Sequence, residues 1–148
     1  MRIEPARIAA LLLPWTLAVQ SHAGDLSVSG AWSRPTPPGA TVAAVYFSVA
    51  NSGSKADRLL ALSTPIAGKV ELHESRTVHG VNEMHAVAAL ECPPGAIVGA
   101  RPNGVHAMLI GLTKPLVAGK TFSMALQFRD AGTVSVPVWV KTDESVER

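Results

Sequence analysis

Apolar residues in this chain come in short runs, each closed by a cluster of turn-forming residues. "DLSVSGAW" (25–32), "TVAAVYFSVAN" (41–51), "DRLLALST" (57–64), "KVELHE" (69–74) and "GVNEMHAV" (80–87) are rich in β-branched or apolar residues. "AIVGA" (96–100), "VHAMLIGL" (105–112), "TFSMALQFRD" (121–130) and "TVSVPVWVK" (133–141) continue the series. Between them stand "RPTPPGA", "NSGSKAD", "ECPPG", "RPNG" and "DAG", which read as turns. No stretch keeps a 3.6-residue apolar period long enough to define a helix, although the 50s leave room for a short one. The pattern predicts an all-β domain of around nine strands, an antiparallel Greek-key sandwich or small barrel. The terminal "TDESVER" is polar and is expected to fray.

The first residues break this pattern. Arg2 and Arg7 precede an apolar run from Ile8 to Val19, and Ser21-His22-Ala23 puts small residues at the −3 and −1 positions of a cleavage site. This is the layout of a secretory signal peptide over residues 1–23, followed by one domain over 24–148. The run contains Pro14 and falls short of the roughly 20 residues a membrane-spanning helix needs, so no membrane insertion is expected after its removal. No cysteine follows it where a lipid would attach. Without the leader, 11 Lys and Arg face 10 Asp and Glu, a balance that argues against nucleic acid or an anionic membrane surface as partner. One cysteine, Cys92, excludes an internal disulfide and a Cys-rich zinc framework.

Candidate chemistry lies among the histidines and methionines. In "GVHAMLIGL" (104–112), His106 and Met108 stand two apart, so on a strand they share a face. Taken alone they read as core packing, since apolar strands often include Met, with half of a metal site as the alternative. "ELHESRTVHGVNEMHAV" reads as a hairpin turning at His79-Gly80, where Gly supplies a positive φ. If Val78 pairs with Val81, then Ser75 pairs with Met84 and His73 with Ala86, which makes His73 and Met84 diagonal neighbours on one side. A slip by one residue would undo this. In that register His73, Met84, His106 and Met108 converge from a hairpin and one further strand. Thioethers favour Cu(I), imidazoles accept Cu(I) or Cu(II), and the set is a poor match for zinc, calcium or iron.

The spacing His73-x10-Met84-x21-His106-x-Met108 resembles the signature of the periplasmic copper chaperones of the PCu(A)C family. "AWSRPTPPGATVAAVYFSVANSG" (31–53) and "ADRLLALSTPIAGKVELHE" (56–74) resemble the family's flanking segments, so the likeness covers essentially the whole exported chain. The resemblance implies a cupredoxin-like β-sandwich that binds Cu(I) through these four side chains. It also implies a periplasmic carrier delivering copper to the CuA centre of cytochrome c oxidase, on subunit II, or to other respiratory copper proteins, with a thiol-bearing copper chaperone as a candidate co-worker. A monomer is the default for a carrier that must expose its site. Many members of the family have a Met shortly after the first His, where this chain has Glu74 and Ser75, and some have a Met/His-rich C-terminal tail, where this chain has "KTDESVER".

Other readings stand beside these. His79 and His85 read as solvent-exposed, with auxiliary Cu(II) ligation as the alternative. Cys92 reads as an incidental thiol, with redox sensitivity or covalent dimerisation as the alternative. Trp32 and Trp139 read as core aromatics rather than a binding platform. Glu74 and Glu83 read as solvated charges, with the orienting of an imidazole as the alternative. Arg34 reads as a local hydrogen-bonding residue rather than a partner contact. An electron-transfer copper site needs a cysteine thiolate with a histidine close behind it, and "CPPGAIVGARPNGVH" has the wrong spacing. No G-x-S-x-G or H-E-x-x-H motif is present, so no enzyme is expected. A metal-free or copper-storing binding module without a delivery role remains as the competing function.

Overall fold

A computed structural model describes residues 21–142. The expected signal peptide lies outside the described residues apart from its last three, and the expected frayed end lies outside them apart from Thr142. The described strands are β1 (Ser21–Ala23), β2 (Leu26–Ser33), β3 (Val42–Asn51), β4 (Asp57–Ser63), β5 (Ala67–Val78) and β6 (Val81–Ala86). They continue with β7 (Leu90–Cys92), β8 (Ile97–Ala100), β9 (Val105–Leu112), β10 (Thr121–Phe128) and β11 (Gly132–Val140). Two of these, β1 and β7, are three-residue strands that the apolar pattern does not mark out.

Pairing runs β2-β11-β10-β4-β5-β9-β3 and returns to β2, which closes a seven-stranded barrel. Sequence neighbours β3 and β4 are not adjacent in the ring, nor are β9 and β10, as a Greek-key path requires. The antiparallel expectation holds for every paired edge except one: β11 and β2 run parallel, through Trp139↔Trp32 and Val140↔Ser33. Closure removes the open edges that a flat sheet of these strands would leave.

Period-two alternation fills the barrel with aliphatic side chains. Met124, Leu126 and Phe128 of β10 and Val134, Val136, Val138 and Val140 of β11 all point inward. The same alternation corrects the expectation for the tryptophans. Trp139 lies between two inward valines and so faces outward, with 54% of its surface exposed. Trp32 is half-buried on the outside between Ala31 and Ser33, its ring 4.9 Å from that of Tyr46 and tilted 45° to it. The cations of Arg34 and Lys141 lie over its ring at 5.7 and 5.6 Å.

The short helix left open in the 50s is replaced by a turn built on one buried side chain. Asn51 Oδ1 accepts the Gly53 N–H at 3.0 Å, while Nδ2 donates to the carbonyls of Lys55 (2.8 Å) and Cys92 (2.9 Å). An Asx turn of this kind offers the backbone an alternative to helical hydrogen bonds. Among the described residues no helix is long and apolar enough to cross a membrane.

Candidate metal centre

The centre is positioned by β5, β6 and β9. β5 and β6 form a hairpin whose two-residue turn has φ of 50° at His79 and 79° at Gly80, the left-handed pair that a tight hairpin needs. Its register is Val78↔Val81, Ser75↔Met84 and His73↔Ala86, as the sequence predicted. On the other side of β5, His73 lies directly opposite His106 of β9, and Glu71 lies opposite Met108. Leu72, Ala107 and Leu109 point into the core, so His73, His106 and Met108 face outward on the barrel wall.

The two imidazoles face each other at a centroid separation of 6.3 Å. His106 is buried at 6% exposure although it lies on the outer face. Its Nδ1 donates to the Gly104 carbonyl at 3.1 Å, and that carbonyl also accepts the Ser75 N–H at 3.2 Å. In the neutral ring the lone pair of His106 is therefore on Nε2. His73 Nε2 sits 2.9 Å from Glu71 Oε2, while its Nδ1 is buried without a partner, alone in this among the side-chain N and O atoms of the described residues. Met108 is half-buried beside His106. Met84 is 52% exposed on the hairpin, diagonal to His73.

The structure thus brings His73, His106 and Met108 onto one patch and sets Met84 at its rim. His85 lies opposite Glu74, on the other side of the hairpin from Met84, and pairs with Glu83 at 3.0 Å. His79 occupies the turn and is exposed. Glu74 pairs with Arg76, so neither Glu74 nor Glu83 orients a histidine of the patch. That position belongs to Glu71, which the sequence reading missed. Alternation in "KVELHE" carries the signal: Glu71 is two residues from His73 and shares its face, whereas Glu74 is one residue away and does not. Hydrogen bonds from Lys69 and from His73 hold the Glu71 carboxyl below the usual range.

Cys92 lies in the core on β7, opposite Asp57, and burial pushes its thiol up to about 11. Its environment favours the unreactive thiol over the thiolate. Among the described residues no group of three or more His, Cys, Asp or Glu gathers around a common point. Met108 and Met84 lie on and beside the histidine patch, and two imidazoles with two thioethers make a neutral, soft donor set.

The chain matches the family described as "Putative lipoprotein LpqE-like" over residues 26–140, a span that includes every residue of the patch. Lxx21020 of Leifsonia xyli subsp. xyli, which carries a similar lipoprotein description, is 35% identical over 121 residues, covering 81% of this chain and 72% of that protein. Protein RP573 of Rickettsia prowazekii is 31% identical over 116 residues, covering 76% of this chain and 64% of that protein, less than two thirds of its length. Among solved structures, the copper-bound PCuAC domain from PmoF2 superposes with a TM-score of 0.72 at 26% identity, covering 84% of this chain and 98% of that domain. The Cu(I) form of DR1885 from Deinococcus radiodurans gives 0.63 at 29% identity, covering 91% of this chain and 83% of that one. The chain belongs to the LpqE-like family, and its barrel has the fold of PCuAC domains.

Proposed function

We propose that this protein is an exported copper carrier that binds Cu(I) through His73, Met84, His106 and Met108 and delivers it to a respiratory copper centre. The observation that carries the reading is the direct pairing of His73 with His106, with Met108 on the same outward face and Met84 on the adjoining hairpin. The copper-bound state of the PmoF2 domain and the Cu(I) state of DR1885 support the choice of metal. The lipoprotein description of the family supports export, with the periplasm as the working compartment.

The donor set explains why such a site would carry copper and not consume it. Imidazole and thioether are neutral, so they leave the ion's charge uncompensated, and a partner offering thiolates holds Cu(I) more strongly. Half of the Met84 surface faces solvent, so an incoming ligand can displace this thioether before the buried His106 lets go. The CuA site of cytochrome c oxidase subunit II supplies two cysteines of this kind, with a thiol-bearing chaperone or reductant keeping them reduced. The protein itself acts as a monomer and performs no catalytic step.

The test is an anaerobic Cu(I) titration against a chromophoric chelator, with Met84→Ala/Met108→Ala beside the wild type, followed by transfer to an apo CuA fragment. One tight equivalent is expected. The double variant should lose about 100-fold or more in affinity, at or beyond the roughly 10–100-fold typical of losing only an outer-shell partner. Copper held but never passed on would leave a storage module. No competition from the wild type would return His106 and Met108 to a structural role.

A further inference from the structure

We propose that Glu71 is a positioning residue for the copper site, holding the His73 ring through Nε2–H so that Nδ1 is the atom that meets the metal. The inference rests on the reading of His73 as a ligand. Lys69, Glu71 and His73 lie two apart along β5 and so form a row on its outer face. Lys69 Nζ donates to Glu71 Oε1 at 2.7 Å, and His73 Nε2 lies 2.9 Å from Glu71 Oε2. Each carboxylate oxygen is thus held by a separate partner. An ionised carboxylate only accepts, so the proton of the neutral imidazole is on Nε2 and the lone pair is on Nδ1.

Nδ1, which carries that lone pair, is the atom left buried without a partner. Leaving a buried polar group unsatisfied is unfavourable, and a bound ion would remove that cost. His106 shows the complementary arrangement, with Nδ1–H anchored on the Gly104 carbonyl and Nε2 open. Across the strand pair, then, one ring offers Nδ1 and the other Nε2, and each is fixed by an acceptor on its far nitrogen. An acceptor on the non-ligating nitrogen of a metal-bound histidine sets its tautomer and raises its basicity. Glu71 lies opposite Met108 and therefore beside the donors. Its hard oxygens, already engaged by Lys69 and His73, suit the orienting of a ligand better than the direct binding of a soft ion.

The test is a long-range 1H–15N NMR spectrum of histidine-labelled protein, recorded without metal and with one equivalent of Cu(I) under anaerobic conditions. In the metal-free protein His73 is expected as the Nε2–H tautomer. Adding Cu(I) should shift its Nδ1 resonance while Nε2 keeps its proton. Glu71→Ala should mix the two tautomers and weaken Cu(I) binding about 10–100-fold, with Glu71→Gln, which keeps an acceptor oxygen, in between. A response at His73 Nε2 in place of Nδ1 would overturn the inference and leave His73 a ligand. No response at either nitrogen would overturn the ligand assignment itself. An unchanged tautomer in Glu71→Ala would remove Glu71 from the role. The wild-type spectrum alone decides which nitrogen binds, should that variant fail to fold.

Discussion

Asp57 is a buried carboxylate, 5% exposed, that accepts three backbone N–H groups: Arg58 at 2.7 Å, Asp130 at 3.0 Å and Ala131 at 2.9 Å. Burial alone would raise its pKa, but these donors and the nearby Arg129 charge outweigh that and lower it from the ordinary value of 3.8. Because the folded pKa is depressed, the stabilisation is complete above 3.8 and is lost as pH falls through the lower folded value. Asp57→Asn keeps one acceptor oxygen and should cost about 2 kcal/mol at neutral pH. Urea midpoints of the two proteins, measured from pH 7 down to 2, should converge at the acid end; a gap that stayed constant would mean the charge contributes nothing. At this scale the sequence was most legible where residue type decides chemistry, as in the spacing of His73, Met84, His106 and Met108. It was least legible where a contact decides, since neither the three donors around Asp57 nor the pairing of Glu71 with His73 is written in residue type.

The β5–β6 hairpin was legible because its turn and its apolar flanks agree on one register. Gly80 tests how much of the site depends on that element. Its φ of 79° is left-handed, and a Cβ there would meet nothing within 4 Å, so substitution costs backbone strain alone. For a β-branched residue the cost is about 1–2 kcal/mol. Every residue of β6 is exposed and among the described strands it pairs only with β5, so the strain should be relieved locally by opening the hairpin. Gly80→Val is therefore expected to weaken Cu(I) binding about as much as Met84→Ala does, while the melting temperature of the barrel changes by only a few degrees. A chelator titration beside a thermal melt checks both halves. What escaped the apolar pattern at this scale were β1 and β7, too short for any periodicity to register, and the outward tryptophans. A large apolar side chain suggests burial, but Trp139 follows the alternation of its strand and stays outside.

Barrel closure is a property of the whole molecule, and its parallel seam between β2 and β11 joins strands from opposite ends of the chain. No local pattern announces such a pairing, since it depends on how seven strands tilt and close together. The closed wall fixes β5 against β9 through Ala67↔Leu112 and an unbroken run from Lys69↔Ile110 to Glu74↔Val105, whereas β6 hangs from one edge of β5. Copper held by all four side chains would tie this hairpin to the wall. A ligand that binds only the folded state stabilises it by about 2.7 kcal/mol at a free concentration of 100 times Kd, so Cu(I) should raise the melting temperature. The gain should not be uniform. Exposed throughout and paired only with β5 among the described strands, β6 should exchange its amides readily without metal, so on binding hydrogen exchange should slow most over residues 81–86 and little over the core strands β10 and β11. In Met84→Ala the ion would still bridge β5 and β9 through the histidines and Met108, so part of the thermal gain should persist while the added hairpin protection disappears. Equal slowing across all strands in the wild type would mean that copper stabilises the barrel without engaging the hairpin, and Met84 would lose its place among the ligands.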